Sequence, residues 1–98
     1  GEKVFPEEVE EILKRHSAVE DALVFGEADE QFGQRVVAVA SLKPGAQATA
    51  EAIMAEARTQ LASYKLPKRL VLVPHTPRAP NGKADYVTAK ALFAAAAP

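Results

Sequence analysis

No cysteine occurs among the 98 residues, so the chain can form neither a disulfide framework nor a thiolate metal site. That suits the cytoplasm, which is the location expected. No apolar run approaches the roughly 20 residues that a membrane span needs. Neither sign of charge dominates, with 12 Lys and Arg against 13 Asp and Glu. A nucleic-acid scaffold is usually strongly basic, so no nucleic-acid partner is expected. No signal peptide is expected either: the chain opens Gly1-Glu2-Lys3, a start expected of a piece of a longer protein. A chain of this size buries roughly 60–65% of its extended surface, enough for one core but not for a deep enclosed active site.

What is present alternates helical and extended patterns. Val4 to His16 reads as a first helix, with Pro6 at the first helical position, Glu7 and Glu8 at its positive end, and Lys14 and Arg15 at its negative end. Val9, Ile12 and Leu13 form its apolar stripe, and Val4 is placed to staple onto Val9. Phe5 is a poor N-cap, so packing is expected to hold this helix start. Ala22 to Phe25 reads as a buried strand closed by Gly26, and Arg35 to Leu42 as a second strand ended by Lys43-Pro44-Gly45. Glu27 to Gln34 reads as a polar loop between them, and the two strands are expected to pair antiparallel.

Thr49 can cap a second helix running to about Ser63, with Ala50, Ile53, Met54, Ala57 and Leu61 as its buried stripe. Tyr64-Lys65-Leu66-Pro67 stops it. Leu70 to Val73 is a third strand, Pro74 to Lys83 a proline-rich loop, and Asp85 to Ala96 a last, alanine-rich helix whose end is expected to fray. The order predicts an α+β fold: a small three-stranded mixed sheet covered by about three helices, with a proline-rich lysine loop before the last helix. A right-handed crossover makes the third strand parallel to the second. The first strand is expected in the centre, pairing with both others.

The loop is the stretch on which the rest turns. Pro77 and Pro80 stiffen its approach, and Asn81-Gly82 is a strong turn dipeptide because both residues tolerate positive φ. Lys83 therefore sits on a stiff tip, where its ammonium can enter another surface as a point charge. An isolated Asn-Gly-Lys is ordinarily no more than a solvated turn. Pro77 to Lys83 is not a phosphate-binding P-loop, which needs glycine at the place of Pro77 and Ser or Thr at the place of Ala84.

Other chemistry is sparse. His16 and His75 have no partner at metal spacing and read as surface or cap residues, so no metal site is expected. No serine sits in a nucleophile elbow. Glu7-Glu8 and Glu10-Glu11 read as the solvated face of the first helix. Lys65, Lys68 and Arg69 cluster around Pro67 and are candidate phosphate contacts, or simply a basic rim.

Three segments, in order, then become specific. Gly1-Glu2-Lys3-Val4-Phe5-Pro6-Glu7-Glu8-Val9-Glu10 resembles the G-E-x-V-x-P-x-E-V-E segment of AMP-forming acyl-CoA synthetases. Tyr64-Lys65-Leu66-Pro67-Lys68 is similar to their Y-K-x-P-K signature, and Pro77 to Lys83 to the P-R-x-P-x-G-K loop that carries their adenylation lysine. The set covers essentially the whole chain. It implies the small, mobile C-terminal domain of an adenylate-forming enzyme, spanning residues 1–98 and lacking the family's hinge and first hairpin. A large N-terminal domain of the same chain is then expected to bind ATP, Mg²⁺ and the carboxylic acid. The small domain would close on it in two orientations. In the first, Lys83 is implied to reach the carboxylate and the α-phosphate. In the second, the face near Gly1, Glu2 and Lys3 is implied to line the pantetheine path of CoA. Such lysines are also implied targets of protein lysine acyltransferases.

Departures from the family pattern are visible. Lys3 stands where many members carry asparagine, and Ala84-Asp85-Tyr86 stands where many continue with a hydrophobic residue and then basic ones. That ending resembles the fatty-acyl branch more than the peptide-synthetase branch. The expected function is thus activation of a carboxylic, fatty, acid with ATP and its transfer to CoA by the full-length enzyme, the fragment alone being inactive. An adenylation domain that loads a carrier protein is the alternative enzyme reading. A non-catalytic interaction module is the alternative of another class.

Overall fold

A computed structural model describes residues 3–29, 31 and 33–96. Helix α1 (Pro6–Lys14) starts after Phe5, whose side chain makes no capping bond, and carries Pro6 at its first turn. Strand β1 (Val19–Asp29) pairs antiparallel with β2 (Gly33–Leu42). Helix α2 (Ala50–Arg58) is capped by Thr49, whose hydroxyl accepts the Ala52 N–H at 3.0 Å. A single 3₁₀ turn over Ser63–Lys65 leads to β3 (Arg69–Leu72), and the last helix is α3 (Tyr86–Ala96).

Each strand buries both faces, which is why the apolar runs read as continuous rather than alternating. Ala22 and Val24, Ala38 and Ala40, and Leu70 point to one side, where Val9, Ile12 and Leu13 of α1 and Ile53 and Ala57 of α2 meet them. Leu23 and Phe25, Val37 and Val39, and Val71 point to the other side, against Ala89 and Phe93 of α3. There Phe25 and Phe93 meet edge to face, with centroids 5.9 Å apart. The result is three layers: two helices, the sheet, one helix.

Several expectations are corrected. Residues Glu27 to Gln34 are not all loop: Glu27 pairs with Arg35 and Ala28 with Gln34, so the ladder runs on past the core. The opposite charges of Glu27 and Arg35, joined at 2.7 Å, hold these polar ends together without apolar packing. Helix α2 stops at Arg58 rather than Ser63. Thr59 turns its hydroxyl back onto the Glu56 carbonyl and the chain tightens there, though Leu61 stays buried on the expected stripe.

Strand order is the larger correction. The sheet runs β1-β2-β3, with β2 in the centre and β3 parallel to it; β1 lies at an edge instead of between the others. One reason is visible on β1. The Val24 N–H, where a third strand would have paired, is taken by a carboxylate oxygen of Glu10 at 2.9 Å.

Strand β1 also contains an irregularity that matters below. Val19 faces Leu42, but Asp21 faces Ser41, so two steps on β1 answer one on β2. Such a bulge switches side chains to the other face. Val19 joins the core with α1 and α2. Asp21, two residues on, belongs with Leu23 and Phe25 on the α3 side.

Candidate functional site

Between β3 and α3 the chain folds into a small closed loop. Arg78 and Ala84 form an antiparallel bridge, the Ala79 N–H donates to the Lys83 carbonyl at 2.8 Å, and the Asp85 N–H to that of Pro77 at 3.2 Å. At the tip the Gly82 N–H donates to the Ala79 carbonyl at 2.8 Å, and the Asn81 side-chain oxygen accepts the Lys83 N–H at 3.1 Å. Gly82 has φ +88°, and a Cβ placed there would meet nothing within 4 Å. The glycine is needed for its backbone conformation, not for space.

Lys83 is exposed, and its backbone N–H and carbonyl are both engaged within the loop. Its ammonium makes no hydrogen bond or ion pair among the described residues. The combination is a fixed main chain carrying an unspent charge.

Two side chains tie the loop to the sheet. Arg78 donates to both oxygens of Asp21, at 2.7 and 3.0 Å, and also to the Gly82 carbonyl at 2.9 Å. Thr76 shares a hydrogen bond of 2.7 Å with Ser41 and donates to the Asp21 carbonyl at 3.3 Å. Burial alone would raise the pKa of Asp21. The bonds from Arg78 and the Ala22 N–H, with the Arg78 charge, outweigh it and hold the carboxyl below its ordinary value. On the other side of the loop, Asp85 opens α3 by accepting the Thr88 N–H at 3.0 Å and its hydroxyl at 2.7 Å.

The start of α3 is fastened a second time. The Tyr86 hydroxyl donates to Glu10 at 2.7 Å, through the same oxygen that accepts the Val24 N–H. Glu10 is therefore buried, contrary to the reading of Glu10-Glu11 as a solvated face; Glu11 is exposed as expected. Burial first, and then the Glu10 carboxylate, push the Tyr86 phenol up to about 12.

The other sequence candidates lie apart from the lysine. Lys65 pairs with Glu8 at 3.0 Å, across the 3₁₀ turn and α1. Lys68 and Arg69 line an open groove of about 560 Å³ with Arg58, Met54 and Ala96, so two of the three basic residues share a cleft. Arg69 also lies over the Phe93 ring at 5.9 Å. The groove reaches the far end of α3, about 15 Å along the helix from the lysine loop by its rise of 1.5 Å per residue. Lys3 is exposed, and Gly1 and Glu2 fall outside the described residues. His16 caps a turn by accepting the Ala18 N–H at 3.0 Å, and His75 is exposed. No group of three or more metal-binding side chains converges among the described residues.

Comparison with known proteins places this geometry. Residues 8–83 match the family model of the AMP-binding enzyme C-terminal domain. A 3-oxocholest-4-en-26-oate–CoA ligase of Rhodococcus rhodochrous is 52% identical over 90 residues, which are 92% of this chain and 16% of that protein. A medium-chain acyl-CoA ligase of Mycobacterium avium is 50% identical over 86 residues, 88% of this chain and again 16% of that protein. The solved fatty acyl CoA synthetase of Mycobacterium tuberculosis superposes with a TM-score of 0.86 at 30% identity, covering all of this chain and 19% of that one. The chain thus spans about a sixth of the length of the curated relatives it matches.

Proposed function

Because the chain belongs to the AMP-binding enzyme C-terminal domain family, we propose that it is the mobile domain of an acyl-CoA ligase acting on fatty acids. The relatives named above are CoA ligases or synthetases of fatty and steroid acids, and their length leaves room for an N-terminal domain that would bind ATP, Mg²⁺ and the acid.

The observation that carries the chemical role is the exposed Lys83 ammonium on a backbone-closed tip. In the first half-reaction a carboxylate oxygen forms a bond to the α-phosphorus of ATP, and pyrophosphate leaves. Negative charge gathers on the phosphoryl oxygens as this happens. A pre-placed ammonium stabilises that charge more than it stabilises the ground state. In the second half-reaction the CoA sulfur bonds to the acyl carbon and AMP leaves. Lys83 has no role there, and a turn of the domain would withdraw it and bring the face near Gly1, Glu2 and Lys3 toward the pantetheine arm. Lys68 and Arg69, which line the open groove, would offer further positive charge to a phosphate there. Since Lys83 is reachable in the open enzyme, acylation by a lysine acyltransferase would cancel its charge and silence the first step. The setting proposed is cytoplasmic fatty-acid metabolism.

The test is to offer the full-length enzyme ATP, Mg²⁺ and a series of fatty acids, with either free CoA or a holo carrier protein. Acyl-CoA and AMP in equal amounts are expected. Acylation of the carrier protein alone would transfer the reading to a carrier-loading enzyme. No adenylate with any acid would leave an interaction module.

A further inference from the structure

The bonds inside the lysine loop fix its shape but not its direction. Those between Ala79 and Lys83, Ala79 and Gly82, and Asn81 and Lys83 all join residues of the tip to one another. The base is held by Thr76 and by the start of α3, but a closed tip beyond it could still pivot, and a pivot of about 1 Å matters when a charge must meet a phosphoryl group. What crosses from the sheet to the tip is Arg78. Two of its nitrogens hold the two oxygens of Asp21, and a bond from Nη1 holds the Gly82 carbonyl, the oxygen of the peptide that leads into Lys83. Thr76 secures the base of the loop, not its end.

We infer that Arg78, oriented by Asp21, is the positioning residue that aims Lys83, an inference that rests on the proposed role of Lys83 in adenylation. The planar fork of a guanidinium suits this task, since it can face a carboxylate with one edge and a carbonyl with another. A lysine could keep the charge but could not make the three bonds in one plane. Asp21 is itself aimed by the β1 bulge, which places it on the α3 side of the sheet opposite Ser41. The Arg78 and Asp21 side chains are 35% and 19% exposed, and the bond from the same guanidinium to the Gly82 carbonyl gives the pair an orienting task beyond any it has in the fold.

The test compares Arg78→Lys, Arg78→Ala, Asp21→Asn and Lys83→Ala in the full-length enzyme. Each is assayed for acid-dependent pyrophosphate exchange, for thioester formation from supplied acyl-adenylate, and for amide hydrogen exchange. Arg78→Lys and Asp21→Asn are expected to lower kcat of the first half-reaction by roughly 10-fold, leaving KM for ATP and acid and the second half-reaction near wild type. Amide exchange at Gly82 and Lys83 should quicken while the β1–β2 ladder stays protected. The Asp21→Asn/Arg78→Ala double variant should be no worse than Arg78→Ala, because the two residues act as one device. If Lys83→Ala abolishes adenylation while the Arg78 and Asp21 variants adenylate at the wild-type rate, the inference fails and the lysine assignment stands. An equal fall in both half-reactions, with protection lost across the sheet, would reduce the pair to a structural one and overturn it. If adenylation survives Lys83→Ala, the lysine assignment falls and takes this inference with it. Should Arg78→Ala be too unstable to assay, Arg78→Lys and Asp21→Asn carry the comparison without it.

Discussion

Arg78 and Asp21 lie 57 residues apart in the chain, yet the guanidinium of one meets both oxygens of the other. The contact joins a loop after β3 to the bulged start of β1. It makes the orientation of the lysine tip a property of the sheet rather than of the loop alone.

Acid should loosen this contact. Asp21 has a folded pKa held below its usual 3.8, so its contribution is complete above about that pH and is lost as the pH falls through the lower, folded value. Protection of the Gly82 amide, taken relative to the intrinsic exchange rate at each pH, should therefore fall below about pH 4 in wild type and show no such step in Asp21→Asn. A wild-type loop that shows no such step would separate Asp21 from loop order.

Lys83→Ala in the full-length enzyme should cut adenylation by roughly 10²–10³-fold, the size expected for one transition-state charge. Thioesterification of supplied acyl-adenylate should continue at close to the normal rate. Pyrophosphate exchange undiminished by the substitution would show that another group carries the charge.

Glu10 offers a test of the opposite kind, on the fold. Glu10→Ala leaves the Val24 N–H without an acceptor and should cost about 1–3 kcal/mol in urea unfolding. Glu10→Gln keeps an acceptor and should cost less. In that variant the Tyr86 phenol should titrate below its present value of about 12 but still above 10, because its burial remains. The wild-type fold should correspondingly lose stability as the pH rises from about 10 through 12, since the native state holds the Tyr86 proton more tightly. Ultraviolet titration of Tyr86 in a Tyr64→Phe background reads the shift directly.

Residues 1–98 alone should fold cooperatively, with one core on each side of the sheet. They should show no ATP-dependent ligase activity. Calorimetry finding micromolar ATP binding to this fragment would mean that the nucleotide site is not where it is proposed.

Much of the architecture was legible because local signals agreed with it. Val37-Ala38-Val39-Ala40 has no polar residue to face water, so a strand covered on both sides follows. Thr49 before an apolar stripe announces its helix. Lys83 was legible as a tip because Asn81 and Gly82 leave the chain few alternatives. Strand order was not legible, since β1 and β2 are equally apolar and either could have taken the third strand. What the structure adds is a side chain from α1 that occupies the edge of β1. Glu10 looked solvated because three other acids surround it in sequence, and helical spacing puts it only at the margin of the Val9–Leu13 stripe. Arg78 was legible only as one position of the P-R-x-P-x-G-K resemblance, with no partner indicated, and Asp21 not at all. Their meeting depends on the bulge that shifts Asp21 to the other face, and nothing in Glu20-Asp21 announces that bulge.

The Glu10–Val24 bond has one more consequence, for encounters between molecules. Strand β1 is 11 residues long and, among the described residues, pairs with a strand on one side only. An open edge of that length is a template on which the strand of a second molecule could add itself. At its most apolar stretch, between Leu23 and Phe25, the outward N–H is already occupied by a buried carboxylate. An incoming strand would have to displace that group from the Val24 N–H and set its charge beside its own carbonyls. Glu10 thus works as a stopper against strand addition, and its replacement by alanine should show in light scattering of concentrated protein as well as in the unfolding curve.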